Sequence, residues 1–326
     1  MEKRVQDVIG QLAAENAKGY ERPTGGQLDA VNDEAVIVLT IRNSRVQPPV
    51  RRPPVHQGRQ NNVMWFLQQV CDGWPTTING TFAFECHDVS RPLSDRDAAR
   101  FTFCTPQDAE HSEHGLPWST KGTVLMPDEF AMLDYFGDLK SVDALPYRSK
   151  RPVAYFAGTT TGSRDASKNL RLMMCEWVSR HPGLALAHIT KVAQLTESQV
   201  IASFPNARSW FRPYVSIPEQ REYKYLFSVD GNAAAWNRFP WILNSNSICL
   251  KQRSRSVTWY SPLLQDGVNY FEFDKLDELE IMIPELRAMK DEVAEQMIGR
   301  NKLFVQEYLS PEAHRFYMGS VLALLT

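Results

Sequence analysis

Residues 223–253, YKYLFSVDGNAAAWNRFPWILNSNSICLKQR, constrain the fold of this chain more than any other stretch. The run from Tyr223 to Val229 is apolar and aromatic, with the length and composition of a strand. Asp230, Gly231 and Asn232 interrupt it with residues suited to a sharp turn. Ala233, Ala234, Ala235 and Trp236 then open a predicted helix that carries Arg238, and a second strand is expected at 247–251. Strand, glycine turn, helix and strand make a βαβ unit, which belongs in a parallel sheet with its ligand at the carboxyl ends of the strands. A helix amino terminus receives negative charge and Arg238 can add a bidentate contact, so the segment points to a phosphate-bearing substrate.

The remaining pattern is also α/β. In the second half, 153–157 and 184–188 read as strands, with a helix between them running to about Arg180, and 268–273 reads as a further strand. Residues 276–309 are mostly helical, and 311–325 form a final amphipathic helix. In the first half, strands are expected at 34–41, 77–86, 100–103 and 122–126, with helices at 62–71 and 127–133. The alternation in the second half implies a parallel sheet covered on both faces. At 326 residues the chain is long enough for two domains of roughly 150 residues each. We place the domains at 1–145 and 150–310, with 311–326 packing back on the first. Residues 42–60 hold four prolines and five arginines and read as an exposed surface loop, with an anion contact or an acceptor gate as the functional alternative.

Composition removes several classes. With 36 basic and 38 acidic residues, a net charge of −2 gives no electrostatic case for a nucleic-acid partner. No apolar run approaches the roughly 18 residues of a membrane span, and the charged start MEKRVQDVIGQLAAENAKGY does not read as a secretory signal, so a cytoplasmic protein is expected. The five cysteines are widely spaced without a CxxC, which speaks against a disulfide framework or a zinc site. His111 and His114 lack a third ligand at a plausible spacing and read as part of a polar loop.

A second loop shares the chemistry of the first. Gly158, Thr159, Thr160, Thr161, Gly162, Ser163 and Arg164 follow a strand and precede a helix. Small residues let backbone amides approach phosphate oxygens, the hydroxyls donate, and Arg164 neutralises charge. It is not a Walker A loop, since the Lys-Ser/Thr pair is missing. No carboxylate cluster suited to Mg²⁺ or Mn²⁺ accompanies either loop.

These residues carry a resemblance. KYLFSVDGNAAAWNRFPWILNSNSICLKQ, followed by TWYSPLLQDGVNYFEF, resembles the signature of glycosyltransferase family 90, and AYFAGTTTGSRDASKNLRL is similar to that family's upstream strand, loop and helix. The likeness covers roughly 150–310 and lies nearest the bacterial and viral xylosyltransferase-like branch. It implies a GT-B fold, two Rossmann-like domains facing across a cleft. It also implies an inverting transferase that needs no divalent metal or other cofactor and moves a sugar, xylose or glucose, from UDP to a hydroxyl of a glycan acceptor. Carried over, residues 159–164 and 235–238 hold the diphosphate, with Arg238 beside the leaving group. Ser245, Asn246 and Ser247 contact the donor, and Lys251 reaches phosphate. Asp230 contacts either the ligand or its own loop, and Trp236 is either core or a lid on the donor. Asn269 stands where the family often has histidine.

For the base, the resemblance points to a carboxylate just after a strand. FECHDVSRP supplies Asp88 there, where it can take the acceptor hydroxyl's proton. His87 is adjacent, and Trp118 in LPW is a candidate for stacking on the acceptor sugar. Two other readings stay open: a nucleotide-sugar-binding or carbohydrate-interaction module without catalysis, and a nucleotide-sugar epimerase of the same architecture.

Overall fold

The computed structural model of the protein describes residues 1–18, 20–29, 31, 35–49, 52–88, 98–106, 122–134 and 142–326, apart from the side chains of Asp29 and Pro106. His111, His114 and Trp118 lie outside the described residues. Contacts divide the chain into two units. One comprises Met1–Asp138, Arg255–Pro262 and Gln306–Thr326, and the other Leu139–Ser254 and Leu263–Val305.

The first unit contains β1 (Val36–Arg42), β2 (Arg45–Val46), β3 (Gly80–Glu85), β4 (Arg100–Thr102), β5 (Thr105–Pro106) and β6 (Thr123–Leu125). Five of them form a sheet in the order β2-β1-β3-β4-β6. Strands β3, β4 and β6 are parallel, whereas β1 runs antiparallel to both β2 and β3. This sheet is therefore mixed. Asn43 and Ser44 adopt φ of 48° and 58°, a tight two-residue turn that folds β2 back on β1. The proline-rich stretch is correspondingly shorter than its composition suggested. Part of it pairs as β2, and the helix Gln57–Gly73 begins ahead of the expected start. Val63, Phe66, Leu67 and Val70 form the buried stripe of that helix, and Phe84 stacks on Phe101 at 4.9 Å within the sheet's core.

The helix Pro311–Leu325 packs on the helices Lys3–Ala17 and Gln57–Gly73. Ser310 caps it by accepting from the Ala313 amide at 3.2 Å. Tyr317 is fully buried, stacks on Trp259 at 4.3 Å and donates to the Leu125 carbonyl at 2.8 Å. At Gly319 a Cβ would lie 2.2 Å from the Trp74 ring. Gly319→Ala is therefore expected to lower the unfolding free energy by about 1–3 kcal/mol, an overpacking cost. The same change in an open helix would gain about 1 kcal/mol, so the sign of the shift in a urea titration tests the contact.

The second unit is built on β7 (Arg151–Thr159), β8 (Ala185–Lys191), β9 (Tyr223–Ser228) and β10 (Ile248–Gln252). Next in the chain, β11 (Ser256–Val257) pairs with β5 of the first unit, and β12 (Phe271–Phe273) returns to the second. The sheet order is β12-β10-β9-β7-β8, with every pairing parallel. Tyr225, Leu226 and Phe227 are all buried, as a parallel strand covered on both faces requires. Asn269 is structural: its side chain donates to Asn301 Oδ1 at 3.0 Å and its carbonyl accepts from Asn301 Nδ2 at 2.7 Å.

Candidate functional site

All strands of the second unit point the same way, so the loops after β7 and β9 emerge together at the carboxyl edge of the sheet. Their contact is direct. The Gly162 amide donates to Asn232 Oδ1 and Gln194 Oε1, each at 3.1 Å, with Gly162 at φ 130°, a conformation other residues rarely adopt. At Gly231 a Cβ would lie 2.7 Å from Thr161 Oγ1 and 3.1 Å from an Arg171 Nη2, so only glycine lets the loops approach. Asn169, buried before the helix Leu170–Arg180, accepts from the Leu172 amide at 3.3 Å. It also donates to the Thr160 carbonyl at 2.9 Å and the Ser163 carbonyl at 3.1 Å, tying the first loop to its helix.

Arg171 joins the two loops. Its guanidinium donates to the Thr159 carbonyl at 3.0 Å and Thr161 Oγ1 at 2.7 Å on one side, and to the carbonyls of Val229 at 2.9 Å and Asp230 at 3.1 Å on the other. Sequence reasoning missed it, having searched the loops and not the helix that follows. A signal was available, because a cation in the first turn of a helix opposes the helix dipole. Such a mismatch is relieved when an anion sits between them.

Arg238 is the second cation. Its guanidinium donates to the Ala157 carbonyl and, at 3.1 Å, to Gln220 Oε1. It lies 4.9 Å from the Phe156 ring centroid, the ring over which Arg171 lies at 5.8 Å. Gly158 leaves room for that ring, since a Cβ there would stand 2.8 Å from it. Among the described residues neither guanidinium forms an ion pair within 4.0 Å. Burial, reinforced by the neighbouring Arg171, pushes the Arg238 pKa down to about 9. Burial pushes Arg171 down to about 10 against the pull of Asp230. Both stay cationic at neutral pH, so two desolvated positive charges lie near the same ring.

The other expected donor residues divide by position. The Thr160 hydroxyl is fully buried and exchanges hydrogen bonds with the Ala193 carbonyl at 2.7 Å and amide at 2.8 Å, which makes it a support for the loop. Ser163 Oγ accepts from the Asp165 amide at 3.1 Å, and Arg164 is exposed. Asp230 holds its own loop, its carboxylate accepting from the Ala235 amide at 3.2 Å and from the Ser254 hydroxyl, with Lys251 Nζ at 4.0 Å. That bond draws 233–237 into turns, so the helix starts at Arg238 and runs only six residues to Leu243. The expected helix start at 233–236 is thereby corrected: Arg238 stands at the first helical position. Trp236 is buried, which favours core over lid.

Ser245, Asn246 and Ser247 are also corrected. They precede β10, so they occupy the amino edge of the sheet, opposite the two loops. There Ser245 donates to the Ile242 carbonyl at 2.7 Å and Ser247 to the Tyr223 carbonyl at 2.8 Å. Asn246 binds Asp143, whose carboxylate also pairs with buried Lys150 at 2.8 Å.

In the first unit, Asp88 follows β3 as expected, and its Oδ1 lies 2.7 Å from Arg59 Nη1. The neighbouring His87 ring meets His56 edge-on at 5.2 Å. Among the described residues no group of three His, Cys, Asp or Glu side chains is disposed to hold a metal, and no helix is long and apolar enough to cross a membrane.

Comparison with known proteins bears on this arrangement. O-glucosyltransferase LpsA of Dichelobacter nodosus is 29% identical over 172 residues, 52% of this chain and 48% of that protein, so the chain spans about half the length of this curated relative. Among solved structures, TarM shares 11% identity at a TM-score of 0.44, covering 71% of this chain and 50% of TarM. The pneumococcal O-GlcNAc transferase GtfA, in complex with UDP and GlcNAc, shares 14% at a TM-score of 0.32, covering 57% and 38%. The model of the family described as glycosyl transferase family 90 matches residues 118–324, a span that takes in both glycine loops, Arg171 and Arg238, and the chain belongs to that family.

Proposed function

We propose that the protein transfers a sugar from a UDP-sugar to a hydroxyl of a glycan acceptor, with inversion and without a divalent metal. The observation that carries this reading is the pair Arg171 and Arg238, two partly buried guanidiniums near one aromatic ring that form no ion pair within 4.0 Å among the described residues. A diphosphate satisfies both, because planar forks of N–H donors match phosphate oxygens. The name of the LpsA relative makes glucose the first donor to test and leaves xylose as the second.

In the proposed reaction the acceptor oxygen attacks the anomeric carbon from the face opposite the diphosphate. The bond from that carbon to the β-phosphate oxygen breaks, and Asp88 takes the acceptor's proton. Negative charge grows on the leaving diphosphate in the transition state, where two preorganised cations stabilise it more than they stabilise the ground state. On this reading the fold is GT-B, one Rossmann-like domain carrying the donor and the other the base. The five cysteines are all buried, which suits a reducing compartment, and we place the reaction in the cytoplasm.

The test is a screen of UDP-glucose, UDP-xylose and other UDP-sugars for UDP release, with and without EDTA. Release is expected from at least one donor and is expected to be unchanged by EDTA within about twofold. A large EDTA-sensitive fraction would overturn the metal-independent mechanism, and no release with any donor would favour a binding module.

A further inference from the structure

Behind Asp88 lies a set of side chains whose order suggests how a carboxylate paired to arginine can still act as a base. Arg59 projects from the first turn of the helix Gln57–Gly73. Its Nη1 contacts Asp88 Oδ1 at 2.7 Å and donates to the Cys86 carbonyl at 3.0 Å, while its Nε donates to Glu129 Oε2 at 2.9 Å. Glu129 Oε1 in turn accepts from Asn62 Nδ2 at 3.0 Å. Asn62 lies three residues beyond Arg59 on the same helix face, so one helix fixes both the guanidinium and the carboxylate that aims it. The helix start is itself held, because buried Gln60 donates to the carbonyls of Pro53 at 2.9 Å and Val55 at 2.8 Å. Cys104 Sγ fixes the Asp88 backbone through its carbonyl at 2.9 Å.

We propose that Arg59 is the positioning residue for Asp88, and that Glu129 is the counter-ion that lets Asp88 accept a proton. This rests on the reading of Asp88 as the base. An arginine devoted to one carboxylate holds that carboxylate ionised and makes it a poor base. Here one guanidinium is divided between two carboxylates, so Asp88 keeps more of its basicity. When Asp88 takes the acceptor's proton, Arg59 remains paired with Glu129, and no buried cation is stranded. Among the described residues, the titratable groups around Asp88 include Arg59 and His56 from the helix and its cap, Glu129 from the helix Glu129–Met132, neighbouring His87, and Cys86 and Cys104.

Two substitutions then move the Asp88 titration in opposite directions. Arg59→Gln removes the cation and is expected to raise the Asp88 pKa by about one unit or more. Glu129→Gln leaves the whole guanidinium to Asp88 and is expected to lower it. With carboxyl-13C-labelled aspartate in the full chain, the resonance absent from Asp88→Asn reports Asp88 directly. The acid limb of kcat/KM, followed as UDP release, is expected to shift with it, while kcat falls about tenfold in both variants and KM for the UDP-sugar stays within about twofold. Arg59→Lys keeps the charge without the fork, so its acid limb is expected to return toward wild type while kcat stays low. An Asp88 titration that is unmoved, or that moves the same way in Arg59→Gln and Glu129→Gln, overturns the proposal. Failure of the underlying reading has a different signature: Asp88→Asn would then retain full transfer, whatever the two neighbours do.

Discussion

Transfer by Asp88→Asn is expected to fall about 10²–10⁴-fold, the usual contribution of a positioned general base. The amide keeps the shape of the side chain and can still accept from Arg59, but it cannot take up the acceptor's proton. The two glycine loops proposed to hold the diphosphate belong to the other contact unit, so UDP affinity measured by calorimetry is expected to stay within about twofold of wild type. Loss of transfer together with loss of UDP binding would mean that the substitution had damaged the fold. Full transfer would remove Asp88 from the mechanism.

Arg238→Met is expected to weaken UDP binding about 10- to 100-fold, as loss of charged hydrogen bonds worth about 1.5–3 kcal/mol implies. Methionine fills much of the same volume against Phe156 and Trp241, the rings under the guanidinium. It also removes one of two like charges that burial disfavours, so the thermal midpoint without UDP is expected to be no lower than wild type. Scans with and without UDP separate these effects. In wild type UDP should raise the midpoint markedly, and in the variant hardly at all. Arg171→Met is expected to weaken UDP binding similarly but to lower the midpoint, because four loop positions lose their common donor. UDP affinity unchanged in both variants would remove the diphosphate site.

The sequence made the two loops legible because each glycine cluster follows a strand of apolar residues, and a parallel sheet brings such loops to one edge. It did not make the helix boundary legible. Ala233 to Ala235 are strong helix formers, yet the Asp230 carboxylate takes the Ala235 amide and turns the chain before helix begins. Ser245, Asn246 and Ser247 misled for a topological reason: residues that close one connection stand a strand's length away from those that open it. Arg171 was hidden because its role depends on carbonyls 58 and 59 residues further along. Arg59 was hidden for a similar reason, its arginine-rich surroundings reading as solvated surface until a helix aims it at Asp88.

The division of the chain into units carries a consequence for how the protein is made. The first unit needs three separate stretches, the last being Gln306–Thr326, whereas the second is complete at Val305. A ribosome adding about 5–20 residues per second delivers the sheet of the first unit before the second unit, yet Tyr317 and its neighbours reach that sheet only after the second unit has been made. The half that is begun first is therefore finished last, and until then the surface meant for the final helix waits open. Chaperone demand during synthesis should fall on the amino-terminal stretch, and the second unit should already resist protease while the first is still incomplete.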